Sequence, residues 1–413
     1  MIKNSHTIKR HLYIKLWREL TSEKQMVFLS GPRQVGKTTL ANEIASEFKN
    51  KLYFCWDIVE HRKKLIQNPA FFENINRVDE SMPLIVFDEI HKYRQWKNYL
   101  KGIYDQFADE YKFLVSGSGR LDLYQKGGDS LAGRYFQFHL FPFTLAELDG
   151  KKRNINDFLK HPINNFDINK PNITREIWQA LSQFGGFPEP FTKGKKSFFT
   201  KWSVNYASQI VREDIKSISD IKNVDNVEIL FSLLPSKVGS PLSVNNLVGE
   251  LQVSYGSVKE WLKLFEIFYL TFRISPWTKK VSRAILKEKK LYLFNYPEIP
   301  DAGFRFENMV AVELLRAIYN WNEYGYGRFS LHYIRNKEKE EVDFVIAKDN
   351  NPVLLVETKY SGETVPKNLI NFQKRLNVPA VQLVNKEHIF RYIKNEKNKI
   401  LVITAYRWLS SLP

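Results

Sequence analysis

Cysteine is almost missing: Cys55 is the only one in 413 residues. That excludes an internal disulfide framework and any cysteine-based zinc site, and it fits a reducing cytoplasm, where the chain is expected to reside. Long apolar runs are missing too. No stretch approaches the ~20 residues that cross a bilayer, so no membrane insertion is expected. The N-terminal segment (Lys3, Lys9, Arg10, then Leu12–Leu20) reads as an amphipathic helix broken by charges, not a signal peptide. Internal repeats and low-complexity tracts are lacking. Acidic residues are in short supply: 45 Asp and Glu face 62 Lys and Arg, a formal charge of +17. Such a balance points to a polyanionic partner, nucleic acid (DNA foremost) ahead of acidic membrane. A lysine-rich surface serving only solubility is the plainer alternative. What is present suffices for folded cores: 43% hydrophobic and 14% aromatic residues argue against disorder. The length predicts about two to four domains.

Hydrophobic patterning divides the chain. Residues 8–20 read as a helix, and Met26–Ser30 as a short buried strand ending in a glycine turn. A helix over Thr38–Phe48 follows, then strands at Lys51–Asp57, Pro83–Phe87, Tyr111–Val115 and Tyr135–Leu140. Apolar strands alternating with helical stretches predict an α/β parallel sheet covered on both faces, over residues 1–150. An Asn-rich polar stretch, Lys151–Asn172, reads as a linker leading into a helical region that ends near residue 235. Ser243–Leu251 and Ser254–Phe265 are two short helices around a tight turn, with β-rich Tyr269–Trp277 and Lys290–Asn295 after them. That is a winged-helix outline over residues 236–300. From residue 301 the pattern is a helix (Phe306–Trp321) and strands Ser330–Arg335, Glu341–Ala347 and Val353–Tyr360. Then come a helix (Lys367–Leu376) and strands Ala380–Val384 and Ile400–Ala405.

Gly31-Pro32-Arg33-Gln34-Val35-Gly36-Lys37-Thr38, with Thr39 after it, follows a buried strand and opens a helix. This is the phosphate-binding loop pattern. Its glycines let backbone N–H groups face phosphate oxygens, and the helix N-terminus adds a favourable dipole. Lys37 is expected on the β- and γ-phosphates of ATP, and the Thr38 hydroxyl on Mg2+. Leu84-Ile-Val-Phe-Asp88-Glu89 supplies the acidic strand end: Asp88 for the magnesium through water, Glu89 to polarise the attacking water. Ser116 (with Ser118 in reserve) ends the fourth strand, where a γ-phosphate sensor belongs. Arg134 precedes the fifth strand, where an arginine reaches a neighbouring subunit's γ-phosphate in oligomeric ATPases; an ordinary surface arginine is the alternative.

The segments Gly31–Thr39, Phe87–His91, Val115–Ser118, Ser130–Arg134 and Phe141–Glu147 resemble the prokaryotic AAA+-superfamily ATPases that carry a C-terminal domain of unknown function. Gly185–Glu189, Tyr206 with Arg212–Ile215, and Lys289–Phe294 resemble further signatures of that family. His91 and Asn295 depart from its usual glutamine and aspartate. The resemblance implies an AAA+ core, a helical lid, a winged helix, a restriction-endonuclease-like domain and a homo-oligomer.

Two further features bear on a partner. Between residues 271 and 300, Arg273, Lys279, Lys280, Arg283, Lys287, Lys289 and Lys290 outnumber Glu288 and Glu298, and Lys193, Lys195, Lys196 and Lys201 form a second basic group. A basic wing suits phosphate contacts; a packing module with solvated lysines is the alternative. Asp343 and Glu357-Thr358-Lys359 match the Asp…Glu-x-Lys pattern of restriction-endonuclease-like nucleases. A hairpin centred on Asn350 sets Asp343 opposite Glu357 and Glu341 opposite Lys359, on one face. Facing acids repel, and Mg2+ or Mn2+ between them would relieve the conflict, with Lys359 beside the attacking water and Glu307 as a further ligand. The sequence therefore predicts an ATP-hydrolysing protein acting on DNA. The alternative is a signalling or chaperone-like switch whose last domain is an inactive scaffold for a protein partner.

Overall fold

The computed structural model describes residues 8–119, 121, 131–150, 154–164, 174–216, 221, 223–279, 287–395 and 398–413. Two compact units emerge: Met1–Phe141 with Ile267–Tyr269, and Pro142–Glu266 with Leu270–Pro413.

The first unit is built on five strands: β1 (Met26–Ser30), β2 (Lys51–Cys55), β3 (Leu84–Asp88), β4 (Lys112–Ser116) and β5 (Phe136–His139). Their order is β2-β3-β4-β1-β5, and every pairing is parallel. β1 and β3 are buried along their whole length, as continuous apolar runs must be when helices cover both faces of a sheet. The strands fall within two residues of their expected limits, and the first helix runs His11–Glu23 rather than 8–20. Phe72 is fully buried among the rings of Phe87, Phe107, Tyr111 and Phe113, all met edge-on at 5.1–6.5 Å. Parallel register then does the positioning: Asp88 at the end of β3 is the partner of Ser116 at the end of β4, and Ser30 ends β1 where the glycine turn begins.

The second unit opens with helices, among them Ile155–Lys160 inside the stretch expected as a linker. Its N-cap Asn154 accepts from the N–H groups of Asn156 and Asp157. Helices Arg175–Phe184, Pro188–Lys193, Lys196–Gln209 and Val224–Leu233 follow. The break before Pro188 has a cause: a Cβ on Gly186 would lie 2.3 Å from the Phe143 carbonyl oxygen. Helices Val244–Leu251 and Tyr255–Ile267 occur as expected, the latter burying Val258, Trp261, Leu262, Leu264 and Phe265.

The hairpin after them is not a free wing. β6 (Thr271–Pro276) and β7 (Lys290–Leu293) pair with each other, and β6 pairs in parallel with β8 (Phe329–Arg335). They are the edge of an eight-stranded sheet that continues through β9 (Glu341–Lys348), β10 (Asn351–Lys359), β11 (Ala380–Val384), β12 (Phe390–Asn395) and β13 (Asn398–Thr404), in the order β12-β13-β11-β10-β9-β8-β6-β7. An isolated two-stranded hairpin is marginal, and joining the sheet gives its apolar side chains a core. β12 was not expected. It is an edge strand carrying Arg391 and Lys394, and such charges hide the period-two signal while guarding the edge. β9 and β10 turn through Asp349 and Asn350, both at positive φ (+49° and +63°). After a one-residue shift between Pro352 and Leu354 the register reaches Val356 opposite Phe344, as a centre at Asn350 requires.

Candidate active site

Gly31 leaves β1 at φ +146°, and a Cβ there would sit 2.3 Å from the Leu140 carbonyl oxygen, so only glycine fits. Pro32 is buried, Arg33 half-buried and Gln34 exposed at φ +57°. Val35 is fully buried and anchors the loop. Gly36, at φ +96°, caps the helix Lys37–Ala45, which puts Thr38 and Thr39 in its first turn. Lys37 is buried; its ammonium donates to the carbonyls of Gly31 (3.0 Å) and Pro32 (2.6 Å) across the loop. Arg10 holds the loop from behind, donating to the carbonyls of Val35 (3.2 Å) and Phe141 (2.6 Å). Nothing in the sequence singles Arg10 out, because its role depends on two segments up to 131 residues away.

Asp88 is where the elements converge. Its Oδ2 accepts from Thr38 Oγ1 at 3.0 Å and from the Tyr53 hydroxyl at 2.5 Å, and its Oδ1 accepts from Ser116 Oγ. Ser116 thus orients the Asp88 carboxylate in this structure. Tyr53, on β2, went unread in the sequence because a strand tyrosine carries no motif. Burial, then the Asp88 charge, pushes its phenol well above the ordinary range. Glu89 stands at φ +57°, a strained setting of the kind found at functional sites, and its carboxylate lies 3.1 Å from Lys92 Nζ. Lys92 also reaches Asp57 at 2.7 Å. Ser118 is buried, and Gly117 lies so close to the His91 ring that an added Cβ would be 2.5 Å from Nδ1.

Residues 23–149 match the family described as AAA domain. The segment carries the parallel sheet and phosphate-binding loop of a P-loop ATPase. Residues 175–296 match a domain of unknown function (DUF8612), and residues 302–406 match a second one (DUF4143). No curated protein matches the chain significantly. Among solved structures, the Walker-type ATPase of Pyrococcus abyssi is similar at 13% identity and TM-score 0.44, over 71% of this chain and 95% of that one. The Aeropyrum pernix ORC1 protein in complex with DNA is similar at 11% identity and TM-score 0.33, over 75% and 94%. The Drosophila ORC bound to DNA is similar at 13% and 0.30, over 68% and 91%.

Within the AAA domain, Arg134 is ion-paired to Asp105 through Nε at 2.6 Å and Nη2 at 2.9 Å. Ser130 lies outside the described residues.

In the second unit the expected acids come together, with an addition. Asp343 Oδ2 accepts from the Thr358 N–H (2.8 Å) and hydroxyl (2.6 Å). Lys359 Nζ is 2.8 Å from Glu357 Oε1, while Glu357 Oε2 is buried with no hydrogen-bond partner among the described residues. Lys290, expected on a solvated wing, is instead 1% exposed at the centre of the cluster. Its Nζ is 2.6 Å from Glu341 Oε1, 3.1 Å from Glu307 Oε1 and 3.8 Å from Asp343 Oδ1. Burial opposes the Lys290 charge, but those three carboxylates outweigh it and hold the ammonium protonated. Burial first, then the Asp343 charge, pushes Glu307 up to about 7 and Glu357 up to about 8. The Tyr292 hydroxyl donates to Glu307 at 2.8 Å.

Two expectations change here. In this structure the Lys290 ammonium sits among the facing acids, and the Glu307 and Glu357 carboxyls are raised. The donors are oxygens, as Mg2+ or Mn2+ prefer, yet among the described residues no group of three or more acid, histidine or cysteine side chains is arranged to hold an ion. The basic wing also shrinks. Lys290 is buried and Arg273 is ion-paired to Glu266 at 2.6 Å, while Lys280 and Arg283 lie outside the described residues.

Proposed function

We propose that this chain is a Mg2+-dependent ATPase that works on DNA, with a nuclease-like second unit that grips the strand rather than cutting it. The observation that carries the ATPase part is the convergence of Thr38, Tyr53 and Ser116 on the Asp88 carboxylate beside the phosphate-binding loop. A magnesium ion bound there would draw off charge from the β- and γ-phosphate oxygens. Thr38 and Asp88 would hold it, Ser116 and Tyr53 fixing the carboxylate's orientation. Lys37 would exchange its carbonyl partners for phosphate oxygens, a stronger charge-assisted contact. Glu89 would take the attacking water's proton once its carboxylate turns from Lys92. Arg134 would serve a neighbouring copy's γ-phosphate after releasing Asp105, which makes the working form a homo-oligomer. Mixing Arg134→Ala with Lys37→Ala protein should then restore part of the turnover that each lacks alone. No rescue, with a monomeric mass in the presence of ATP, would remove the subunit-crossing role.

The DNA part is supported by charge. Lys193, Lys195, Lys196, Lys201, Lys279 and Lys287 are exposed, and none pairs with a carboxylate among the described residues. Such lysines release counterions when they meet phosphates. The Lys290 ammonium at the centre of the acids supports gripping over metal-assisted cleavage. ATP turnover should rise severalfold on adding DNA and the increase should fade with salt, with no DNA or RNA cut when manganese is present. Turnover indifferent to DNA would favour the protein-recruiting switch, and cleavage lost in Asp343→Ala would restore the nuclease reading.

A further inference from the structure

Beyond the acids, the second unit contains a cavity of about 490 Å³ beside the C-terminal ends of the parallel strands β10, β11 and β13. Ligands of open α/β sheets bind outside such strand ends. One face of the helix Arg175–Phe184 lines it, since Arg175, Gln179 and Gln183 recur at helical spacing. From the strands come Tyr360, Asn385 and Lys386. Gln179 and Gln183 are exposed, and their carboxamides make no hydrogen bond among the described residues. Asn385 Oδ1 is fixed by the Trp178 indole N–H at 2.7 Å. Tyr360 is 45% exposed, although its ring is braced edge-on by buried Phe306 at 6.2 Å, which in turn meets Trp178 at 6.0 Å. An aromatic ring held rigid but left open is a stacking platform. Arg175 and Lys386 stay at the rim, paired among the described residues with the half-buried carboxylates Glu387 (3.5 Å) and Glu363 (3.4 Å).

We propose that this cavity takes one unpaired nucleotide of a nucleic-acid strand. The base stacks on Tyr360, its edge meets the carboxamides of Gln179 and Gln183, and the flanking phosphate lies by Arg175 and Lys386. The proposal rests on the nucleic-acid reading above and adds a preference for single strands with exposed bases.

The test uses the full chain and fluorescence anisotropy of labelled oligodeoxynucleotides: a single strand, the same length of abasic backbone, and a duplex. Wild type should bind the single strand tightest. Tyr360→Ala should weaken that binding about tenfold, the size of one base–aromatic stack, with no effect on the abasic strand. Paired Gln179→Ala and Gln183→Ala, both at exposed positions, should weaken it severalfold. Equal binding of the single strand by wild type and both variants would overturn the cavity as its site and leave the nucleic-acid reading standing. Failure of wild type to bind any strand, and dAMP as well, would overturn both. A free-nucleotide arm measures the change of tryptophan fluorescence with dAMP. If dAMP binds through Tyr360 while no strand does, the ligand class stands and the strand reading falls.

Discussion

Lys37→Ala should lose nucleotide binding, and Glu89→Gln should bind ATP yet turn it over about 10²–10⁴-fold more slowly, the range a positioned base supplies. The two losses have different causes. Lys37 is the buried ammonium at the loop, and without it the phosphates meet only backbone dipoles and the helix N-terminus. The Glu89 carboxylate lies 3.1 Å from Lys92 Nζ and 3.7 Å from His91 Nε2. Its replacement by glutamine keeps shape and removes basicity, so binding survives while proton removal fails. A fluorescent ATP analogue separates the two effects, and phosphate release measures turnover. Normal hydrolysis by both variants would sink the roles given to Lys37 and Glu89, and no turnover by wild type would sink the ATPase reading. Lys92→Ala is a useful control, because freeing Glu89 from its ion pair should not reproduce the glutamine variant's loss.

Lys290→Met should destabilise the second unit by about 3–5 kcal/mol, the usual consequence of removing one partner from a buried ion pair. Lys290 is 1% exposed and lies within 3.8 Å of Glu341, Glu307 and Asp343, so the substitution leaves three acids facing one another, Glu307 buried and the other two only partly exposed. They would respond by taking up protons, which blunts the cost at low pH and sharpens it as pH rises. Denaturant unfolding of the variant at two pH values measures this. Manganese should recover part of the lost stability, and more of it in Lys290→Met than in wild type, because a divalent ion can then take the ammonium's place. A variant as stable as wild type at pH 8, with no response to manganese, would show that Lys290 is not what neutralises the cluster.

Much of the nucleotide site was legible because its parts lie close in sequence or carry fixed spacing. The loop needs glycine where the backbone takes φ +146° and +96°, and Asp88 ends an apolar run that can only be a buried strand. The β9–β10 register was legible for a similar reason: Asp349 and Asn350 are turn residues, and a turn fixes register. What partners do with that scaffold was not. Tyr53 and Arg10 reach the site from β2 and from the start of the first helix, and neither position bears a mark in the sequence. Lys290 was misassigned because a lysine in a basic, strand-like stretch looks solvated until its strand is placed. Once β6 joins β8, the neighbouring β7 carries Lys290 inward, and the acids brought by β9 and the helix Ala302–Glu323 close round it. By itself the sequence determined the phosphate-binding loop, the acidic strand end and the β9–β10 turn, since local backbone chemistry admits few other conformations. Only the tertiary structure decided which side chains complete each site, because strand order brings together residues that no spacing rule connects.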